Sequence, residues 1–201
     1  GKQLKEKFPD GKYRDTRGNE IYFDSSLPDQ IRISFQGEKN ELKIDPDVTI
    51  GSLYIEFGNS GYCSIGRKTK IIDAYFAISD AEVKIGKDCL FSSEIILRTH
   101  DFHHIFDFNS HERINYAKDI IIEDNVWLAH RVSLLAGAKI GTGSVVGTCA
   151  VTSGQFGSHM IIAGCPAKVI RENICWSKDS TEYFNHSTLE ECISKDALKY
   201  L

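Results

Sequence analysis

The 201-residue chain lacks any apolar run of about 18 residues, so nothing in it reads as a membrane-spanning helix, and no signal-peptide core is visible near its start. It also lacks an excess of positive charge. Its 24 Lys and Arg stand against 28 Asp and Glu, for a net charge of −4 with the signs interspersed, which argues against a nucleic-acid footprint or a polybasic membrane patch. A soluble, cytoplasmic protein is the expectation. The six cysteines, Cys63, Cys89, Cys149, Cys165, Cys175 and Cys192, show no paired CxxC spacing, so reduced, mostly buried thiols are expected rather than a structural zinc site. No nucleophile is marked either, because Ser133, Ser144 and Cys149 have no base motif beside them. What is present, 41% hydrophobic and 26% charged residues, suits one ordinary globular domain.

The most ordered stretch is Ile122 to Val151, where Ile122, Leu128, Leu134, Ile140 and Val146 recur at every sixth position. Four positions after each comes a small or β-branched residue: Val126, Val132, Ala138, Ser144 and Ala150. A helix needs apolar residues every three or four positions and a lone strand every two. A sixfold beat therefore points to short stacked strands separated by tight corners. The same spacing joins Ile44 to Ile50, Ile65 to Ile71, and Ile85 to Phe91 and Leu97, with slips between Ile71 and Ile85 and again after Leu97.

Residues 1–40 read as a lead-in, loose or partly ordered to about residue 20, followed by first strands. The repeat proper occupies 41–172, and 173–201 form an extension with a short capped helix around Ser187 to Ile193 that would cover the open end of the coil. Between Leu97 and Ile120 the beat gives way to RTHDFHHIFDFNSHERINYAKD, rich in His, Asp, Asn and aromatic residues. A solenoid accepts insertions only at its corners, so residues 98–119 should leave the coil as a protruding loop, where chemistry tends to sit.

LAGAKIGTGSVVG followed by IIAGCPAKVIRE resembles the hexapeptide-repeat acyltransferases, and IILRTHDFHHIFD with RINYAKDIIIEDNVWLA resembles their branch that O-acetylates bacterial surface sugars. The resemblance covers roughly residues 40–172. It implies an all-β fold, a left-handed parallel β-helix of triangular section, working as a homotrimer with active sites between subunits. It also implies acetyl-coenzyme A as donor and a carbohydrate as acceptor.

Transfer of an acyl group to a hydroxyl needs a base, and an imidazole titrating near neutrality suits that task. The loop offers His100, His103, His104 and His111. The resemblance places the base at His103, at the family's interval before Trp127, which would flank the site beside a backbone N–H able to stabilise the oxyanion. His100 is the alternative base. Asp80, Asp101 and Asp107 are candidates to fix the imidazole tautomer, with Asp80 preferred by resemblance and a plain turn role weighed equally. Ala129 and Thr148 match contacts to the pantetheine arm, Ser153 a position near the pyrophosphate, and Lys168 and Arg171 the phosphates of the nucleotide end. The sequence departs from the family at Ser153, Gly154 and Gln155, where a lysine is lost, and at His130. A metal on His100 and His104 is not expected, since their spacing does not match the three-histidine pattern of the γ-class carbonic anhydrases. Two other functions stay open: an N-acetyltransferase for an amino sugar or sugar nucleotide, and an inactive β-helix that serves as a scaffold or binding module.

Overall fold

Side chains that are apolar at every sixth position stack into flat rungs, each forming one side of a coil. The computed structural model describes residues 11–23 and 30–178. β1 (Lys12–Arg14) lies antiparallel on β2 (Glu20–Phe23). The chain then winds through β3 (Ile31–Phe35), β4 (Glu41–Ile44), β5 (Thr49–Phe57), β6 (Tyr62–Ile65), β7 (Lys70–Ile78), β8 (Glu82–Ile85), β9 (Leu90–Phe91) and β10 (Ile95–Arg98). After the loop come β11 (Ile120–Ile122), β12 (Trp127–Leu128), β13 (Ser133–Leu135), β14 (Lys139–Ile140), β15 (Val145–Val146), β16 (Val151–Thr152), β17 (Gln155–Phe156), β18 (Ile161–Gly164) and β19 (Ala167–Arg171).

Pairing divides the strands into three parallel faces. The first holds β2, β4, β6, β8, β11, β14 and β17. The second holds the leading halves of β5 and β7, then β9, β12, β15 and β18. The third holds β3, the trailing halves of β5 and β7, then β10, β13 and β16. Among the described residues there is no helix. The helix expected around Ser187 to Ile193 lies outside them.

The beat is the core. Ile122, Leu128, Leu134, Ile140 and Val146 point inward on successive faces and are buried, as are Val126, Val132, Ala138, Ser144 and Ala150. The slip between Ile71 and Ile85 has a cause. Leu42 pairs with Cys63 and Cys63 with Val83, so the early turns are two or three residues longer than the turn from Ile122 to Ile140, because β5 and β7 run unbroken around a corner. The coil continues past Val151, where β16 to β18 add further rungs. Within the lead-in, read as loose or partly ordered to residue 20, the described part contains β1, which is held to β2 by backbone pairing and an Arg14–Glu20 ion pair.

The corners are built from left-handed residues. On the corner between the first and second faces, Lys68, Asp88, Asn125, Gly143 and His159 all have φ between 53° and 69°. Four of these donate their N–H to the turn before: Asp88 to Arg67, Asn125 to Lys87, Gly143 to Asp124 and His159 to Thr142. The same geometry exposes Cys149 (φ 59°), one residue short of the inward Ala150. This corrects the expectation of mostly buried thiols. Cys165 and Cys175 are exposed too, whereas Cys63 and Cys89 are buried, and burial pushes the Cys89 thiol up to about 12. Gly141 is needed because a Cβ there would lie 2.4 Å from the Gly157 backbone on the next turn.

Buried polar groups bind successive turns. Asn40 donates Nδ2 to the Asn19 side chain (2.9 Å) and to the Gly58 carbonyl (2.8 Å), and its Oδ1 accepts from Gly61 N (2.7 Å). Glu123 does the same nearer the surface, accepting from Thr142 N (3.0 Å) and Oγ1 (3.1 Å) and pairing with Lys139 (3.3 Å). Partial burial raises the Glu123 pKa, but these donors outweigh it and leave the carboxyl below its ordinary 4.5. A depressed carboxylate stabilises the fold above its unfolded pKa and loses that contribution as pH falls through the folded value. Glu123→Gln should therefore cost about 1 kcal/mol at neutral pH, after discounting for partial exposure, and the gap should close between about pH 5 and about pH 3. Thermal unfolding across that range checks it, and a gap that persists at the acid end would contradict the assignment.

Candidate active site

The loop leaves the coil without disturbing it. Val83 pairs with Ile120 and Ile85 with Ile122, in register across the insertion. Its neck is closed by Lys118 N donating to the Thr99 carbonyl (3.0 Å), while the buried Thr99 Oγ1 accepts from Ser79 N (3.1 Å) and Asp119 Oδ1 accepts from Glu82 N (2.9 Å). Beyond the neck the chain makes a narrow hairpin, with Ile114 N donating to Ile105 O (2.9 Å) and Asp107 N to Glu112 O (2.8 Å). Asp107 accepts from Asn109 N (2.9 Å) and Ser110 N (2.8 Å) at the tip, and these amides hold its pKa below the ordinary carboxylate value. Asp107 is thus spent on a turn and does not reach an imidazole.

The expected site residues fall in two places. Beneath the hairpin is a cavity of about 370 Å³ bordered by Ser79, Asp80, His100, Asp101, His104 and Tyr116, among others. His100 Nδ1 lies 3.2 Å from the Asp101 carbonyl, and its ring packs edge-on against Phe102. Donation from Nδ1 would leave Nε2 as the basic nitrogen. Asp80 is an exposed left-handed corner residue (φ 52°), and its carboxylate accepts from Ser79 Oγ (2.8 Å) rather than from a histidine. His103 is exposed and does not border this cavity. It is fixed through its backbone by Asn115, whose Nδ2 donates to the His103 carbonyl (2.8 Å) and to Asp101 Oδ2 (2.9 Å). The same amide's oxygen accepts from Ile105 N (2.8 Å). Asn115 is therefore the hub of the loop, and nothing in its sequence context marks it as such.

Trp127 sits on the second face, whereas the loop rises at the corner between the third and first faces. In one chain the two lie on opposite sides of the coil. Trp127 is 36% exposed and touches Trp176, with ring centroids 5.8 Å apart. The amide of Trp127 donates to Ser144 (2.9 Å) and that of Ala129 to Val146 (2.9 Å), so neither is left for an oxyanion, and Ala129 has its carbonyl to offer a ligand. Ala129 and the exposed Thr148 lie on adjacent turns beside the corner between the second and third faces. There His130 Nδ1 meets Ser93 Oγ (2.9 Å), and Glu94 pairs with Arg131 (3.0 Å). Ser153 is exposed after β16. Lys168 and Arg171 are three apart on β19, a spacing that would put them on opposite sides of a regular strand. A bulge opposite Ile161 and Ile162 corrects the phase, pairing Lys168 with Ala163 and Arg171 with Ile161, so both cations share the outward side.

Similarity to known proteins agrees with this architecture. No family profile matches the chain. A polysialic acid O-acetyltransferase of Neisseria meningitidis is 33% identical over 159 residues, covering 78% of this chain and 72% of that protein. The crystal structure of the polysialic acid O-acetyltransferase OatWY matches with a TM-score of 0.77 and 28% identity, covering 91% of this chain and 85% of that one. The chain belongs to the hexapeptide-repeat acyltransferases. A further member, the polysialic acid O-acetyltransferase of Escherichia coli O1:K1 / APEC, is 38% identical over 115 residues, which is 57% of this chain but only 38% of its own length. This chain therefore spans well under half of that relative. The structure of the polySia-specific acetyltransferase NeuO matches with a TM-score of 0.69 and 27% identity over 86% of this chain and 98% of that one. As a hexapeptide-repeat acyltransferase, the chain has the left-handed β-helix of these structures.

The role of Asn115 is open to test without a substrate. Asn115→Ala should leave global unfolding nearly unchanged, because the coil's ladder is untouched, but should speed amide exchange of Ile105 about tenfold or more by removing its acceptor. Unaltered exchange there would mean that the hairpin holds itself.

Proposed function

We propose that this protein transfers an acetyl group from acetyl-coenzyme A directly to a hydroxyl of a bacterial surface polysaccharide or its precursor, with His103 as general base. The observation that carries this reading is the histidine-rich hairpin, inserted in register into an otherwise regular coil and carrying an exposed imidazole at the family's interval before Trp127. The names of the relatives make sialic acid polymers the first acceptor to try.

The working unit is a homotrimer. Phe102, Ile105, Phe106, Ile114 and Tyr116 are exposed on the hairpin and Phe108 at its tip is 90% exposed, more apolar surface than a loop keeps in water. The occupant is a second copy of the chain, because His103 and Trp127 lie on opposite sides of one coil and a neighbour's second face supplies the missing Trp127. There the hydroxyl's proton passes to His103 as its oxygen attacks the thioester carbon. The tetrahedral oxyanion then collapses, the carbon–sulfur bond breaks, and the departing sulfur takes the proton from the imidazolium. The donor arm lies along Ala129 and Thr148, with Ser153 near the pyrophosphate and Lys168 and Arg171 on the phosphates. Their shared side suits that role. Asp80 borders the acceptor recess.

His100 supports a second reading for the base, since it borders the cavity and has one ring nitrogen on a carbonyl. His103→Ala is expected to lower kcat about 100-fold or more while coenzyme A affinity stays within about twofold, measured by thiol release and calorimetry. If His100→Ala does this and His103→Ala does not, the base is His100. Replacing Lys168 and Arg171 together with alanine should weaken coenzyme A binding about tenfold, less so at high salt, and leave binding of dephosphorylated pantetheine unchanged.

A further inference from the structure

The chain has only two tryptophans, and they touch. Trp176 is brought to Trp127 by a strap that follows β19 and runs back along the corner between the first and second faces. Ile174 N donates to the His159 carbonyl (3.0 Å), Trp176 Nε1 to the Asn125 carbonyl (2.8 Å) and Lys178 Nζ to the Lys68 carbonyl (3.3 Å). All three acceptors are left-handed corner residues of one row, each two turns from the next. The strap therefore takes up carbonyls that the coil's own ladder leaves pointing outward, and its register fixes where the second indole stands.

That position is informative. Along the rung the chain runs from Asn125 through Trp127 to Ala129 and His130, so Trp176 approaches Trp127 from the Asn125 side. The proposed donor track, Ala129 and Thr148, lies on the other side. The two indoles are tilted by 41°, and Trp127 remains 36% exposed, so the pair presents an open aromatic angle rather than a closed stack. Aromatic faces set at an angle, with a polar corner beside them, suit the C–H faces of a pyranose ring, which is apolar on its faces and polar at its rim.

Resting on the acetyl-transfer reading above, we propose that Trp176 is an acceptor-binding residue, forming with Trp127 an aromatic slot that holds the sugar ring on the side away from the acyl donor. Trp176→Ala is expected to raise the acceptor KM about tenfold while leaving the donor KM and kcat within about twofold. Trp176→Phe, which keeps a ring and loses the Asn125 hydrogen bond, should recover most of that loss. If Trp176 only fastens the strap, both variants will lower the melting temperature alike and neither will change the acceptor KM, and the proposal falls. It falls equally if the donor KM is what rises. A Trp127→Phe variant leaves Trp176 as the sole indole, so titrating sialic acid oligomers and neutral oligosaccharides against its fluorescence reads the slot without any turnover. Should the wild-type protein acetylate no glycan, the function proposed above is wrong. Saturable glycan-dependent quenching would still uphold the slot as a sugar-binding site, and unchanged emission would overturn it.

Discussion

The constraint on which this molecule rests is the bend between faces. A parallel coil must turn sharply three times per circuit while every backbone amide keeps a partner on the turn above or below. Here that is met by residues in the left-handed region, stacked in rows, whose N–H groups point along the coil axis and close onto the preceding turn. Asp88, Asn125 and His159 adopt this conformation without being glycine, at a cost that the repeated hydrogen bond offsets. Once the corners are set, the rungs between them can only alternate inward and outward. The sixfold beat is the side-chain record of that backbone rule.

The same rule explains how the chain carries chemistry without losing order. An insertion at a corner leaves both flanking rungs paired to the turn below, as Val83 with Ile120 shows, so the coil beyond the hairpin is positioned as if the hairpin were absent. The hairpin then needs its own internal supports, and it has them in the Lys118–Thr99 neck, the Asp107 tip and the Asn115 hub. A rigid loop on a rigid prism can place an imidazole, but only beside its own corner. Within one chain the imidazole and the tryptophan on the far face stay apart, which is why the function proposed above calls on another copy of the prism.

What the sequence disclosed divides along the same line. Inward positions such as Leu128, Leu134 and Ile140 were legible because burial imposes one residue class at fixed spacing. The loop was legible because it breaks that spacing. Four features were not. Cys149 looked like a buried small residue, since a left-handed corner and an inward slot are adjacent in sequence and differ only in φ. β1 was invisible because three residues paired to an edge carry no period of their own. Asn115 and Trp176 act through hydrogen bonds to groups distant in sequence, and no local pattern encodes a backbone partner 12 or 51 residues away.

Lys168 and Arg171 show how a structural and a functional role can be separated on one strand. A stack of parallel strands ends in exposed edges that invite pairing with other chains, and both ends here are finished by an antiparallel strand bearing cations, Lys12 and Arg14 on β1 and Lys168 and Arg171 on β19. Edge protection alone explains charge on these strands, and on β1 nothing more is needed. It does not explain the bulge on β19. An edge is blunted equally well by charges on alternate sides, and a bulge sacrifices a ladder bond to bring two cations to one side. On β1 the two cations also share a side, but Arg14 there is neutralised by Glu20, so it is the register shift on β19, which sets Lys168 beside Arg171, that fits the phosphate contact proposed above.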